Sequence, residues 1–129
     1  MNNTIAAFVI GITLIVGAAF IASTRSSQKA GIPANNVTIV DGKQIIDVTA
    51  KGGYQPRKSV AKAGMPTVLR FNTKGTFDCS SAVRIPSMDI SKNLEPTGVT
   101  EIDLGNPLVG VLQGACGMGM YPFEIDFQA

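Results

Sequence analysis

Hydrophobic and polar positions alternate along most of the chain after residue 36. The clearest case is the segment FEIDF, in which Phe123, Ile125 and Phe127 share one face while Glu124 and Asp126 point the other way. A period of two residues is typical of a strand with one buried face. Similar β-rich stretches occur over residues 37–40, 44–50, 59–63, 67–72, 83–85 and 100–104.

Turn signals separate these segments. Asp41-Gly42, Gly64-Met65-Pro66 and Pro86 each end a β-rich stretch, and no stretch after residue 30 keeps a helical period of 3.6 residues. Short alternating strands at this spacing are typical of an antiparallel sandwich or small barrel. The pattern therefore predicts an all-β domain with a single core.

The N-terminal segment has a different pattern. No charged residue occurs from Asn2 to Thr24, and the run IAAFVIGITLIVGAAFIA, residues 5–22, is almost wholly apolar. About 20 such residues span a bilayer as a helix. A cleaved signal peptide is the alternative, but it would begin with a Lys- or Arg-bearing region that these residues lack. We therefore predict a transmembrane anchor at 1–24, a linker at 25–36 and a folded domain at 37–129.

The charges that follow this anchor bear on orientation and on partners. Arg25 and Lys29 come soon after the apolar run, so the positive-inside rule places the domain in the cytoplasm, with the extracytoplasmic side as the alternative. The chain carries 11 basic and 9 acidic residues, a net charge of +2, and no basic run. This balance argues against a nucleic-acid partner.

Sulfur is the main chemical signal in the sequence. The chain has no histidine, which excludes a Ser-His or Cys-His catalytic pair and a histidine-ligated zinc or blue-copper centre. Thiolates and thioethers without imidazole suit Cu(I), a soft ion. We therefore expect a binding protein and not an enzyme. The soft donors are Cys79, Cys116, Met65, Met88, Met118 and Met120.

The positions of these donors suggest a shared site in two loops. Cys79 follows the predicted strand at 67–72, and the sequence CGMGM, which begins at Cys116, falls between two C-terminal strands. Loops at one end of a sandwich lie close together, so these residues are able to share a metal. Gly114, Gly117 and Gly119 would allow a positive φ and turn the methionines toward one centre.

The four candidate ligands are Cys79, Cys116, Met118 and Met120. Glycine on both sides of Met118 is poor strand material, which favours a loop role over core packing. Met65 is expected to pack in a turn. Met88, in IPSMDI, is expected to pack as well, with a role as an auxiliary ligand as the alternative.

Three segments, GGYQP, KAGMPTVLRFNTKGTFDCS and CGMGMY, resemble the cupredoxin-like domains of bacterial copper-handling proteins. The resemblance covers residues 37–128 and is to CupA-type membrane-anchored Cu(I) chaperones and to the related domain of copper-exporting P-type ATPases. It implies a cupredoxin-like sandwich in which Cys79 and Cys116 hold Cu(I) as a bis-thiolate. Met118 and Met120 would complete a second, weaker site that shares a thiolate, giving one or two copper ions.

The resemblance also implies a function. The chain would be a single-pass protein of the cell (inner) membrane that sequesters Cu(I), or Ag(I), and passes it by ligand exchange to a copper-exporting P-type ATPase. No small-molecule substrate is expected. This chain has Pro122-Phe123 after CGMGMY, where relatives tend to have a basic, glycine-containing turn, and this difference would alter a docking surface.

Two alternatives come from other classes of protein. An electron-transfer cupredoxin is disfavoured because a blue-copper site uses two histidines. An extracytoplasmic β-sandwich binding domain with a structural Cys79–Cys116 disulfide leaves Met118 and Met120 without a role. Counting free thiols on protein from its native compartment separates this second alternative from a copper protein.

Overall fold

The computed structural model describes residues 35–129, which form two five-stranded β-sheets. The predicted anchor, and all of the predicted linker except residues 35 and 36, lie outside the described residues. Within residues 35–129, no helix is long and apolar enough to cross a membrane. The strands are β1 (Val37–Val40), β2 (Lys43–Ala50), β3 (Tyr54–Gln55), β4 (Lys58–Lys62), β5 (Thr67–Thr73), β6 (Ala82–Ile85), β7 (Ile90–Asn93), β8 (Gly98–Gly105), β9 (Gly110–Cys116) and β10 (Pro122–Gln128).

The prediction of an all-β sandwich is confirmed, but the prediction that it is antiparallel is wrong for two strand pairs. One sheet has the order β1-β2-β5-β8, with β3 paired to β2, and the other has the order β4-β10-β9-β6-β7. The pairs β2–β5 and β4–β10 are parallel. A tight hairpin joins only antiparallel neighbours. The chain instead leaves the first sheet at β4 and returns to it as β5, in the same direction as β2.

The alternating positions face the core as predicted. Ile46, Val48, Leu69 and Phe71 are all buried, and in the FEIDF segment the three apolar side chains are buried while the two acidic ones are only partly covered. Burial of apolar surface in this alternation stabilises one register, because a slip of one residue would expose every core side chain. The remaining large core side chains include Tyr54, Val83, Ile85, Leu104, Phe123, Ile125 and Phe127.

Two ends of the sandwich differ in their chemistry. Strands β2 and β5 run parallel, so the turn at 51–53 and the loop at 74–81, which follow these two strands, lie at the same end of the sandwich. The loop at 74–81 leads into β6 of the other sheet, where Val83 pairs with Cys116 at the end of β9. The turn at 117–121, which follows Cys116, therefore lies at this end as well. We call these three connections the sulfur end. The connections at 41–42, 63–66, 86–89 and 106–109 form the far end.

Candidate metal centre

Cys116 is the last residue of β9 and is almost completely buried. The chain then reverses in a tight turn, in which the Gly119 amide donates to the carbonyl oxygen of Cys116 at 2.8 Å and the Cys116 amide donates to that of Tyr121 at 3.1 Å. These bonds fix the turn that carries Met118. The prediction that CGMGM lies in a loop between two C-terminal strands is confirmed for residues 117–120 and wrong for Cys116, which belongs to β9.

Cys79 is the first residue of a short 3₁₀ helix, Cys79–Ser81, in the loop after β5. The Asp78 carboxylate accepts hydrogen bonds from the Ser80 amide at 2.8 Å and from the Ser80 hydroxyl, and it also accepts one from the Gly52 amide at 2.6 Å. The bonds from Ser80, with the Gly52 amide and Lys51 in smaller roles, lower the pKa of Asp78. Asp78 therefore stays ionised and joins the Cys79 loop to the turn at 51–53.

The structure brings Cys79 and Cys116 together and joins them in a disulfide, with their Cα atoms 5.6 Å apart. Next to this pair, the Gly117 amide donates to the carbonyl oxygen of Ala82 at 2.9 Å. A bis-thiolate metal site requires the same two sulfurs at one place. It requires them as thiolates, so the disulfide must first take up two electrons.

Met118 and Met120 lie in the turn itself, and 80% and 63% of their surface is exposed. Side chains this open to solvent contribute little to the core, so the prediction that they are not core fillers is confirmed. Met88 ends a second 3₁₀ helix, Pro86–Met88, at the far end, and Met65 is half-buried in the turn before β5, also at the far end. The structure therefore keeps Met65 and Met88 away from the cysteine pair.

Of the three glycines expected to take a positive φ near the site, one does so and two do not. Among the three, only Gly119 has a positive φ, +75°. Gly114 is buried in β9, where an added Cβ would lie 2.6 Å from Cε1 of Phe123. At Gly117 an added Cβ would be 3.4 Å from that of Ala82. Gly114 is needed for close packing, and a positive φ is required only at Gly119.

Tyr54 supports the site from beneath, a role that the alternation pattern did not reveal. Its hydroxyl lies 3.2 Å from the carbonyl oxygens of both Ser80 and Ala82 and donates to this pair. Its ring packs edge-to-face on Phe71 and Phe123, with centroids 5.7 and 4.9 Å apart. Burial, with a smaller effect of the Asp78 charge, raises the pKa of Tyr54, so the phenol remains a hydrogen-bond donor at neutral pH.

The turn at 51–53 completes the arrangement. Gly53 has φ +121°, a backbone conformation that favours glycine, and the position a Cβ would occupy there lies 3.6 Å from Cδ1 of Tyr121, so the turn and this ring are neighbours. The segments GGYQP, FDCS and CGMGMY, far apart in sequence, therefore meet at the sulfur end. Tyr54 belongs to GGYQP, one of the three segments that carry the family resemblance.

The donors at this end fit Cu(I). Once reduced, Cys79 and Cys116 offer two soft thiolates, and Met118 and Met120 offer two thioethers on the same turn. Cu(II) prefers imidazole nitrogen, and the chain contains no histidine. The arrangement is that of a loop site open to solvent on its methionine side.

The fold and the site together define a class of protein: a small β-sandwich with a pair of cysteines at one end. The profile of the cupredoxin-like domain family matches residues 11–124, and the chain belongs to this family. A search of curated proteins by sequence gave no significant match.

Solved structures of copper proteins are similar to this chain. The Cu(I)-bound metal-binding domain of the Cu(I)-exporting P-type ATPase CopA of Streptococcus pneumoniae D39 has a TM-score of 0.65 and 19% identity, covering 72% of this chain and 93% of that one. A copper-binding protein solved in its apo form has a TM-score of 0.66 and 25% identity, covering 71% and 94%. A chain of a heme-copper terminal oxidase has a TM-score of 0.52 and 15% identity, covering 99% and 100%. The first and third are similar in fold alone.

Proposed function

We propose that this chain is a CupA-type, membrane-anchored Cu(I)-binding protein that sequesters copper and passes it by ligand exchange to a copper-exporting P-type ATPase. The observation that carries the proposal is the meeting of Cys79 and Cys116 at one end of the sandwich, with Met118 and Met120 exposed on the adjoining turn. The cupredoxin-like family and the similarity to copper-binding domains support it.

The difference in exposure between the donors suggests how copper is held and released. In the reduced protein, the buried Cys116 and the half-buried Cys79 supply the tight site. Met118 and Met120 supply a weaker site at the surface, because thioethers are neutral ligands and these two are open to solvent. Copper at the methionines is within reach of the sulfur ligands of a partner, so it leaves by exchange of one ligand at a time.

The proposed location rests on the sequence. The apolar run at 5–22 would anchor the chain in the cell membrane, and Arg25 and Lys29 would keep the domain in the cytoplasm. A reducing cytoplasm would keep Cys79 and Cys116 as thiols, which is the state that Cu(I) requires.

Anaerobic Cu(I) titration of reduced residues 31–129 against a competing Cu(I) chelator tests the site. We expect Cys79→Ser and Cys116→Ser each to abolish tight binding. We expect the double variant Met118→Ala/Met120→Ala to lose only a weaker second equivalent, with a stability change within about 0.5 kcal/mol because both side chains are exposed.

The matched control for the methionines is Met65→Ala/Met88→Ala, which removes two thioethers from the far end and should leave both copper equivalents in place. Uptake by the wild type no tighter than by the cysteine variants would contradict the copper function. If the two methionine variants lose the second copper equivalent to the same extent, Met118 and Met120 are not its ligands.

The disulfide itself favours a second candidate, an extracytoplasmic β-sandwich binding domain that Cys79–Cys116 stabilises. Trapping thiols with an alkylating reagent in intact cells, before lysis, separates the two candidates. Two alkylated cysteines support the copper protein and contradict the disulfide-stabilised domain. A fully protected pair supports the second candidate.

A further inference from the structure

Charged side chains are balanced in number over the described residues but not in position. Arg25 and Lys29 are the only basic residues before residue 35, and all nine acidic residues come later, so residues 35–129 carry nine of each sign. Asp78 is the one acidic residue in the three connections of the sulfur end, and Glu95 lies in the neighbouring connection at 94–97. The basic side chains at or level with this end are Lys51, Arg57, Lys74, Arg84 and Lys92.

Three of the basic side chains lie near the segments that carry the sulfur residues. Lys51 directly follows β2. Its Nζ lies 4.0 Å from the point that a Cβ would occupy at Gly75, so it lies beside the loop at 74–81, which begins at Lys74. Arg57 lines a hollow of about 250 Å³ together with Met120. Nε of Arg84 lies 3.8 Å from the point that a Cβ would occupy at Gly117, the residue after Cys116.

The acidic charges are largely used elsewhere. The Asp78 carboxylate accepts hydrogen bonds from the backbone amides of Gly52 and Ser80, so part of its charge is already compensated. Between the two ends, Lys58 pairs with Glu124 at 2.9 Å and Arg70 pairs with Asp47 at 2.6 Å, and Glu101 lies opposite Arg70 in the β5–β8 pair. The far end carries Lys43 and Lys62 against Asp41, Asp89, Asp103 and Asp126. The domain is therefore polarised, with its positive side at the sulfur site.

Exposed apolar side chains occur at the same end as these basic residues. Phe77, two residues before Cys79, is 82% exposed, and Met118 is 80% exposed. Aromatic and methionine side chains are enriched at the centres of protein interfaces, with charged residues at the rim. Leu108 in the far-end connection at 106–109 is 87% exposed as well, so the basic charge beside the sulfur residues, and not apolar exposure alone, distinguishes the sulfur end as a contact surface.

We propose that the sulfur end, which bears the exposed Phe77 and Met118 together with the basic Lys51, Arg57 and Lys74, is the docking face for an acidic protein surface that surrounds the thiolates of the copper acceptor. This inference rests on the proposed function and names the chemistry of its partner. A dithiolate acceptor is an anion, and a bis-thiolate complex of Cu(I) keeps a net negative charge. Positive potential around the donor site therefore attracts the acceptor and increases the rate of encounter.

A protein occupant is favoured over a lipid surface because of where the ligands lie. Copper at Met118 and Met120 leaves only when other sulfur donors reach them, and lipid headgroups offer none. The face must therefore be open to a sulfur-bearing partner while the protein is loaded.

Transfer of Cu(I) to two synthetic acceptors tests the docking face. Both peptides contain Cys-Gly-Gly-Cys, one flanked by glutamates and the other by lysines, and the donor is the loaded full chain in nanodiscs of neutral lipid. At low ionic strength we expect the acidic acceptor to take copper at least about tenfold faster. The difference should largely disappear in about 1 M salt, where the Debye length is near 3 Å.

Charge reversal locates the effect. The variant Lys51→Glu/Lys74→Glu should lose or invert the preference for the acidic acceptor. Its matched control, Lys43→Glu/Lys62→Glu, makes the same change in net charge at the far end and should keep the preference. Equal rates for the two acceptors, or equal effects of the two variants, would overturn the proposal.

Two further readouts separate this proposal from the proposed function. The copper content of each variant is measured before mixing, so a failure to load reports on copper binding alone. Fluorescence anisotropy of the acidic peptide with its cysteines changed to serine then measures docking to the reduced, metal-free chain, where Lys51→Glu/Lys74→Glu should weaken binding and the far-end control should not. Binding of the face to vesicles of anionic lipid, with no preference between the peptides, would identify a membrane contact and overturn the proposal.

Discussion

The hydroxyl of Tyr54 offers a sharp test of how the cysteine loop is held. Changing Tyr54 to Phe keeps the ring and its edge-to-face contacts but removes the donor that lies 3.2 Å from the carbonyl oxygens of Ser80 and Ala82. The Ala82 carbonyl keeps a partner because the Gly117 amide also donates to it, at 2.9 Å. The Ser80 carbonyl, in a buried residue, loses this donor.

The expected loss of stability follows from that difference. An average hydrogen bond contributes about 1 kcal/mol, and a buried acceptor left without a partner costs about 1–3 kcal/mol. Because the hydroxyl has one proton to share between two long contacts, we expect a decrease in the free energy of unfolding of about 1–2 kcal/mol. Urea unfolding of residues 31–129 in reducing buffer measures it, and an unchanged slope of the unfolding free energy against urea would assign the change to stability.

The same variant should affect copper. If Tyr54 holds the Cys79 loop in place before metal binds, its loss transfers the cost of ordering the loop to the binding step. A cost of 1.4 kcal/mol is a factor of about ten in affinity, so Cu(I) binding should weaken by up to about tenfold. Tyr121→Phe is the matched control, because its hydroxyl makes no hydrogen bond to any residue in 35–129. A loss below about 0.5 kcal/mol for Tyr54→Phe, or one equal to that of the control, would refute the reasoning.

Two other predictions concern packing and charge. Gly114→Ala places a Cβ 2.6 Å from Cε1 of Phe123 and should lower the free energy of unfolding in urea by about 1–3 kcal/mol. Gly117→Ala, whose new Cβ lies 3.4 Å from that of Ala82, should cost clearly less. Equal costs would contradict the packing role of Gly114. The hydrogen bond from Arg70, supported by Asn72, lowers the pKa of Asp47, so this carboxylate contributes stability above its unfolded pKa near 4 that is lost as the pH falls through its lower folded value. We therefore expect Asp47→Asn to lose less stability than the wild type when the pH falls from 5 to 3. The difference in the free energy of unfolding should be at most about 1 kcal/mol, because the ion pair is partly exposed. Identical pH profiles of stability would show that the pair contributes nothing.

The described core was largely predictable because alternation is a local property. Phe123, Ile125 and Phe127 each follow a polar or small residue, and the period of two assigns all three to one face whatever the strand pairs with. The segment at 110–116 shows no such alternation, since Gly110 and Gly114 interrupt it. Strand β9 was therefore implied only by the position of the cysteine motif.

The sequence by itself determined which side chains this protein can offer a metal, because the absence of histidine and the spacing of CGMGM are facts of composition and order. It also placed Cys79 in the loop after β5 and Met118 and Met120 in the turn before β10, whereas Cys116 lies at the end of β9. The tertiary structure decided what depends on pairing over long distances: the parallel β2–β5 and β4–β10 pairs, the meeting of the two cysteines, and the hydroxyl of Tyr54 beneath their loop. No local pattern carries this information, since strand direction and contacts between loops are set by which sheet the chain joins when it returns.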